Sequence, residues 1–133
     1  PGKAITFGLL GGKPYLGLSG NPAAAYVGFE MLARPAIRKM RGFAEGPRPV
    51  QQATLTHGVK RRQHRRFFDR ATVLRDPETG ELLVTEAKTQ NSALLGTMQR
   101  ANCLLRIDEG PCELKAGDVV DVVRVDLPEG AVL

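Results

Sequence analysis

Short apolar runs open the chain. Ala4-Ile5-Thr6-Phe7, within Pro1–Leu10, and Tyr15–Leu18 flank Gly11-Gly12-Lys13-Pro14, which predicts a β-hairpin. From Pro22 to Arg41 the apolar spacing changes to three and four. Ala25, Phe29, Leu32, Ala36 and Met40 make the inner stripe expected of a half-buried helix. Asn21 stands at the N-cap position with Pro22 as the first helical residue. Pro35 forfeits a backbone hydrogen bond inside the pattern and is expected to kink it. Arg34, Arg38, Lys39 and Arg41 crowd the last turns before Gly42, a natural stop. A hairpin and one helix cannot close a core, so this part is expected to lean on residues that precede Pro1.

Glu45-Gly46-Pro47-Arg48-Pro49 then reads as a linker. Beyond it the pattern turns to β. Val50–Thr56, Phe67–Arg75, Glu81–Ala87, Asn102–Asp108 and Val119–Val125 are expected strands, and Leu94–Arg100 suits a strand or a short helical turn. Asp76-Pro77-Glu78-Thr79-Gly80 and Lys115-Ala116-Gly117-Asp118 supply turns. In the last strand, Val119, Asp121, Val123 and Val125 are expected to share one face. Short strands at this spacing predict a small closed barrel or sandwich.

Composition adds bounds rather than detail. The chain has 133 residues, 42% hydrophobic and 25% charged, as in a soluble globular protein of one ordinary or two small domains. It holds no apolar run long enough to span a membrane and no visible signal peptide, and it starts at Pro1 rather than Met, as a fragment or processed product would. Cys103 and Cys112 form no CxxC, and His57 and His64 have no ligand-like spacing to them. A reduced, cytoplasmic protein without a structural metal follows, with a Cys103–Cys112 disulfide as the alternative.

Charge does change the picture. The net charge is +5, and Lys60, Arg61, Arg62, Arg65, Arg66 and Arg70 bring six positive charges against Asp69 alone within eleven residues. Such a window draws anions: nucleic acid, an acidic surface or a small oxyanion. A guanidinium fork such as that of Arg65 suits a tetrahedral oxyanion, and Phe67-Phe68 beside it could stack bases. Adjacent aromatics at a strand start more commonly feed opposite faces, one of them the core. Leu16 to Ala25 joins a strand-like run to the helix through Ser19-Gly20-Asn21-Pro22, where unpaired N–H groups would seat an anion. Gln90-Asn91-Ser92 is a turn, or a hydroxyl and amide pair offered to a polar ligand. Glu30, Asp69, Glu86 and Asp108 are scattered and read as solvated surface charges. No Walker loop, GxGxxG or Ser-His-Asp set is present.

In order, these pieces resemble the C-terminal third of the molybdopterin molybdenumtransferase family, which includes bacterial MoeA and the E domain of gephyrin. Pro1-Gly2-Lys3 resembles the family's Pro-Gly-Lys, Ser19-Gly20-Asn21-Pro22 its Pro-Gly-Asn-Pro loop, and Phe29 to Met40 the helix with an internal Arg-Pro. Arg65 to Ala71, Gln90-Asn91-Ser92, Arg100-Ala101-Asn102 and Ala116-Gly117-Asp118 follow in the family's order.

The resemblance implies an α+β chain: the end of a three-layer α/β molybdopterin-binding domain at residues 1–43, a linker at 44–49 and a small C-terminal β-barrel domain at 50–133. It implies molybdenum cofactor biosynthesis, in which molybdate is inserted into adenylylated molybdopterin with release of AMP. Magnesium would be held mainly by residues outside this chain, which would be inactive alone. Matched by position, Lys3, Gly20, Asn21, Pro22, Arg65 and Ser92 would meet molybdate or molybdopterin, with Arg62 or Arg66 as other candidates for the arginine. No residue here is implied as catalytic or metal-binding. The family's loop ends in Val-Ser where this chain has Ala23-Ala24, which removes one expected hydroxyl. A homodimer and a molybdopterin adenylyltransferase partner are also implied, with neither membrane nor nucleic acid. The competing reading is a basic β-domain that binds nucleic acid or an acidic partner through Lys60–Arg70. A third is a purely structural module.

Overall fold

A computed structural model describes residues 4–44, 47–62, 64–91, 95–128 and 131. These form two compact units, one reaching Arg48 and one running from Pro49 to Gln90 and from Gly96 onward, with Asn91 and Leu95 falling to the first.

The first unit opens with the hairpin, β1 (Thr6–Leu10) and β2 (Lys13–Gly17), paired antiparallel from Leu10↔Lys13 to Thr6↔Gly17. Gly11 and Gly12 make the reversal alone, at φ of 55° and 76°, a backbone that side chains resist. Lys13 and Pro14, expected in the turn, therefore begin β2. Helix α1 (Pro22–Gly28), a π-helical turn (Phe29–Ala33) and α2 (Arg34–Met40) follow without a break. The Arg34 N–H reaches the carbonyl of Phe29, five residues back, just before Pro35, which has no N–H to give. A widened turn thus accommodates the proline.

Burial along this helix departs from the expected stripe. Phe29, Leu32 and Met40 are exposed, at 41%, 44% and 71%, whereas Ala23, Ala24, Val27, Glu30, Arg34 and Arg38 are buried. Glu30 is no solvated surface acid, because Arg48 donates to it from Nε at 2.7 Å and Nη2 at 3.1 Å, with Arg34 Nε at 3.9 Å. The buried face thus joins small apolar residues at its start to charged ones further on, and the exposed apolar face borders an open cavity of about 570 Å³ with Phe7, Tyr15 and Leu16 of the hairpin.

The second unit is a closed five-stranded barrel in the order β3-β6-β5-β7-β9, joined by a separate β4-β8 ribbon. Its strands are β3 (Val50–Leu55), β4 (Val59–Arg61), β5 (Phe67–Arg75), β6 (Leu82–Glu86), β7 (Cys103–Ile107), β8 (Cys112–Leu114) and β9 (Val119–Arg124), with helix α3 at Gly96–Arg100. The barrel is mixed: β3 and β6 pair parallel, all other neighbours antiparallel. Leu55, Val73, Val84, Leu105, Ile107, Val120 and Val122 fill the interior, and Phe67 packs against them. In β9 the inward residues are Val120 and Val122, while Val119 is 63% exposed, so the face expected from the sequence is the outer one. Valine pairs separated by Asp121 and Arg124 follow a period of three rather than two, so the sequence does not choose a side.

Strand β5 changes partners along its length. Phe67–Ala71 pairs with β7 and Ala71–Arg75 with β6. Where each neighbour departs, a side-chain amide takes over the ladder. Gln90 Oε1 accepts from Arg70 N and Gln90 Nε2 donates to Arg70 O, both at 2.9 Å. On the other edge, Asn102 Oδ1 accepts from Val73 N and its Nδ2 donates to Val73 O, both at 2.8 Å.

Candidate functional site

The basic run sorts by what each cation touches. Lys60, on β4, pairs with Glu113 of β8 at 3.3 Å, both exposed. Arg61 turns its Nη2 to Asp69 of β5 at 2.7 Å and to Glu86 of β6. Arg66 lies 3.2 Å from Asp108 and 3.6 Å from Glu109. Arg70 is buried in β5, its backbone clamped by Gln90 and its Nε 3.4 Å from Gln90 Oε1. Arg62 and Arg65 are exposed and make no ion pair or hydrogen bond among the described residues. Of the six, these two guanidinium groups are open to an outside anion, while Arg66 meets its acids at the exposed surface.

Asp69 and Glu86 correct the sequence reading in the same way as Glu30. Asp69 is 2% exposed and Glu86 half-buried, two carboxylates around one guanidinium. Burial opposes the Arg61 charge, yet Asp69 and Glu86 hold that guanidinium above its ordinary value. Burial pushes the Glu86 carboxyl above its ordinary value, helped by the hydrogen-bonded Asp69 and opposed by Arg61. At Glu86 burial outweighs the attraction of Arg61, whose Nη2 also serves Asp69. His57 belongs to this cluster, its Nε2 accepting from Glu86 N at 2.9 Å with its Nδ1 3.1 Å from the Gly58 carbonyl. With Nε2 an acceptor, the ring is the neutral Nδ1–H tautomer donating to Gly58. His57, Arg61, Thr85, Glu86, Lys88 and Gln90 are among the residues lining an open cavity of about 570 Å³.

In the first unit, Gly20 and Asn21 are exposed ahead of α1 and Pro22 is exposed as its first residue. Asn21 occupies the N-cap position by its backbone, its carbonyl accepting from Ala25 N at 2.8 Å, but its side chain makes no capping bond. Ser19 Oγ accepts from Asn21 N at 3.3 Å, bracing the loop and leaving the hydroxyl hydrogen free to donate elsewhere. Ala24 is buried, at 4% exposed, where the family pattern carries a serine. Lys3 and Ser92 lie outside the described residues. The structure therefore describes Gly20, Asn21 and Pro22 in one unit and Arg65 in the other.

Phe67 packs on the barrel core beneath the basic run rather than standing free for a base. Both cysteines are free, Cys103 buried and Cys112 half-buried, so the disulfide alternative falls. Among the described residues no group of three or more His, Cys, Asp or Glu could hold a metal ion. No helix of the described residues is long and apolar enough to cross a membrane.

The described residues thus give a hairpin-and-helix unit with an exposed Gly-Asn-Pro loop and, as a separate unit, a mixed five-stranded barrel on which Arg62 and Arg65 are exposed. Residues 52–125 match the family described as the MoeA C-terminal region, domain IV. The chain belongs to that family. It is 35% identical over 127 residues to molybdopterin molybdenumtransferase 1 of Mycobacterium tuberculosis, covering 92% of this chain and 30% of that protein. It is 32% identical to the molybdopterin molybdenumtransferase of Staphylococcus aureus, covering 95% and 30%. A solved molybdopterin biosynthesis MoeA protein from Pyrococcus horikoshii superposes with a TM-score of 0.71 at 27% identity, over 93% of this chain and 29% of that one. A molybdenum cofactor biosynthesis protein from Pyrococcus furiosus shares the fold, with a TM-score of 0.68 at 23% identity over 93% and 42%. The chain thus spans about 30% of the length of the curated relatives it matches.

Proposed function

We propose that this chain serves molybdenum cofactor biosynthesis as the C-terminal portion of a molybdopterin molybdenumtransferase, with residues 1–43 and 50–133 as separate domains. The substrates on this reading are molybdate and adenylylated molybdopterin, and AMP leaves as the metal enters. The observation that carries it is the state of the basic run: Arg65, the position matched to the family's barrel-domain arginine, is exposed and, like Arg62, uncommitted among the described residues, while Lys60, Arg61 and Arg66 are paired.

Each residue then has a plain task. The Arg65 guanidinium presents parallel N–H donors to two oxygens of the tetrahedral dianion. The Ser92 hydroxyl adds a donor, and Lys3 a mobile positive charge. Gly20, Asn21 and Pro22 present backbone and amide groups to the substrate's oxyanions. Binding of this kind orients molybdate, and charge-assisted donors lower its repulsion from an anionic partner. The exposed apolar face of the first unit is, on this reading, covered by other domains of such an enzyme. These 133 residues are inactive alone, and the assembled enzyme is a cytoplasmic homodimer.

The test is AMP release from adenylylated molybdopterin against molybdate concentration, in a molybdenumtransferase carrying residues 1–133 as its C-terminal region. Ser92→Ala is expected to raise the molybdate requirement; an enzyme whose AMP release ignores molybdate would refute the reading. Binding of nucleic acid by the basic run would instead show affinity falling steeply with salt, about −0.9 in log–log slope per phosphate contact.

A further inference from the structure

Strands β3 and β6 meet in parallel over a short edge, where Thr54 and Leu55 face Leu83 and Val84. Thr56 N then donates to Val84 O at 3.0 Å. In a regular parallel ladder the next donor would be Glu86 N, and its acceptor the Thr56 carbonyl. Here Glu86 N donates instead to His57 Nε2 at 2.9 Å. The next amide, Ala87 N, serves the opposite edge and donates to Arg70 O of β5 at 2.9 Å. One rung of the barrel is therefore closed by an imidazole nitrogen, an acceptor that a proton can take away between about pH 5 and 8, as it cannot a carbonyl.

We propose that His57 is a proton-sensitive latch on the turn between β3 and β4. Neutral, the ring holds its Nδ1–H on the Gly58 carbonyl at 3.1 Å and gives the Nε2 lone pair to Glu86 N. Protonated, it carries a hydrogen on both nitrogens and sets Nε2–H against N–H. The rung to β6 then breaks while the bond to Gly58 stays. That frees the turn from β6 where the chain enters β4, whose Arg61 ties β5 to β6 through Asp69 and Glu86. The latch uses none of the residues assigned to the anion and stands apart from that function.

Charges reach this ring from each element around it. Arg61 of β4, Glu86 of β6 and Lys88 beyond it line the same open cavity as His57, and Asp69 of β5 joins through Arg61. Two cations thus stand against two acids. Glu86 is the rival sensor, because burial already pushes its carboxyl above the ordinary value. The two differ in what they release. A proton on the carboxyl weakens its hold on Arg61, whereas a proton on the ring frees the Glu86 backbone N–H.

Amide exchange read by NMR on the full chain, corrected at each pH for the chemical rate, tests this between about pH 8 and pH 5. Protection of the Glu86 amide is expected to fall about fivefold on the acid side, the worth of one net hydrogen bond. The Thr56 and Ala87 amides beside it should hold theirs. His57→Gln offers an amide oxygen that accepts but does not titrate, and should leave Glu86 equally protected at both ends. Glu86→Gln keeps the backbone donor and removes the carboxyl, and should retain the wild-type response. His64 stays in place in both variants. A pH response that survives His57→Gln, or one that vanishes in Glu86→Gln, overturns the latch, as does wild-type protection that ignores pH. Equal loss at Thr56, Glu86 and Ala87 would mean that the barrel opens as a whole, and would overturn it too.

Discussion

Arg61 donates to Asp69 at 2.7 Å, and the same nitrogen reaches Glu86, so one guanidinium from β4 ties together β5 and β6. The two acids are not equivalent. Asp69 is almost wholly enclosed, and removing its charge leaves Arg61 with only the partner whose carboxyl burial has already pushed up. Asp69→Ala is expected to cost about 3 kcal/mol in chemical denaturation, the usual loss when one side of a buried pair goes.

Glu86→Gln should behave in the opposite sense. A carboxyl held above its ordinary 4.5 binds its proton more tightly folded than unfolded. The stability it contributes is full below that ordinary value and is lost as pH rises through the folded one. The glutamine keeps an acceptor for Arg61 and has no proton to lose. Melting curves across pH 4 to 8 should therefore show the variant at least as stable as wild type near neutrality and flatter above about pH 4.5; a less stable variant at neutral pH would contradict this.

Cys103 is fully enclosed in β7, and burial raises its thiol to about 12. It carries no thiolate at neutral pH and should resist alkylation in the native protein, while Cys112, half-buried on β8, is modified first. Mass spectrometry after native labelling at pH 8 reads this directly, and Cys103 should label only as fast as the barrel unfolds.

In the first unit the prediction concerns charge rather than apolar packing. Glu30 is 4% exposed and receives two hydrogen bonds from Arg48. Glu30→Ala should cost this unit about 3 kcal/mol, whereas Met40→Ser, at a position 71% exposed, should cost less than about 0.5 kcal/mol. Hydrogen exchange along α1 and α2 separates the two.

The parts of the fold that read well from the sequence are those written locally. Gly11-Gly12 forces a two-residue reversal, Gly80 and Gly117 sit at φ of 74° and 92° in the expected turns, and the helix runs from Pro22 as its spacing predicts. What did not read is set by partners far along the chain. Strand β4 exists because Lys60 and Arg61 meet Glu113 and Cys112, fifty residues on. Glu30 and Asp69 are buried because Arg48 and Arg61 reach them, and an acid's own surroundings in sequence carry no sign of that. For the site, the charge cluster was visible, but which arginines stay open depended on pairing that only the fold brings about. Family resemblance alone distinguishes Arg65 from Arg62, since both are exposed and unpaired among the described residues.

The most direct test is Arg65→Ala beside Arg62→Ala in the molybdenumtransferase that carries this chain, scored as AMP release against molybdate. Arg65 is exposed and unpaired among the described residues, so its loss should leave the melting temperature unchanged. Half-saturating molybdate should rise roughly ten- to hundredfold, the value of a charge-assisted hydrogen bond of about 1.5–3 kcal/mol. An Arg65→Ala enzyme that titrates with molybdate like wild type would show that the open arginine of the barrel does not meet the anion.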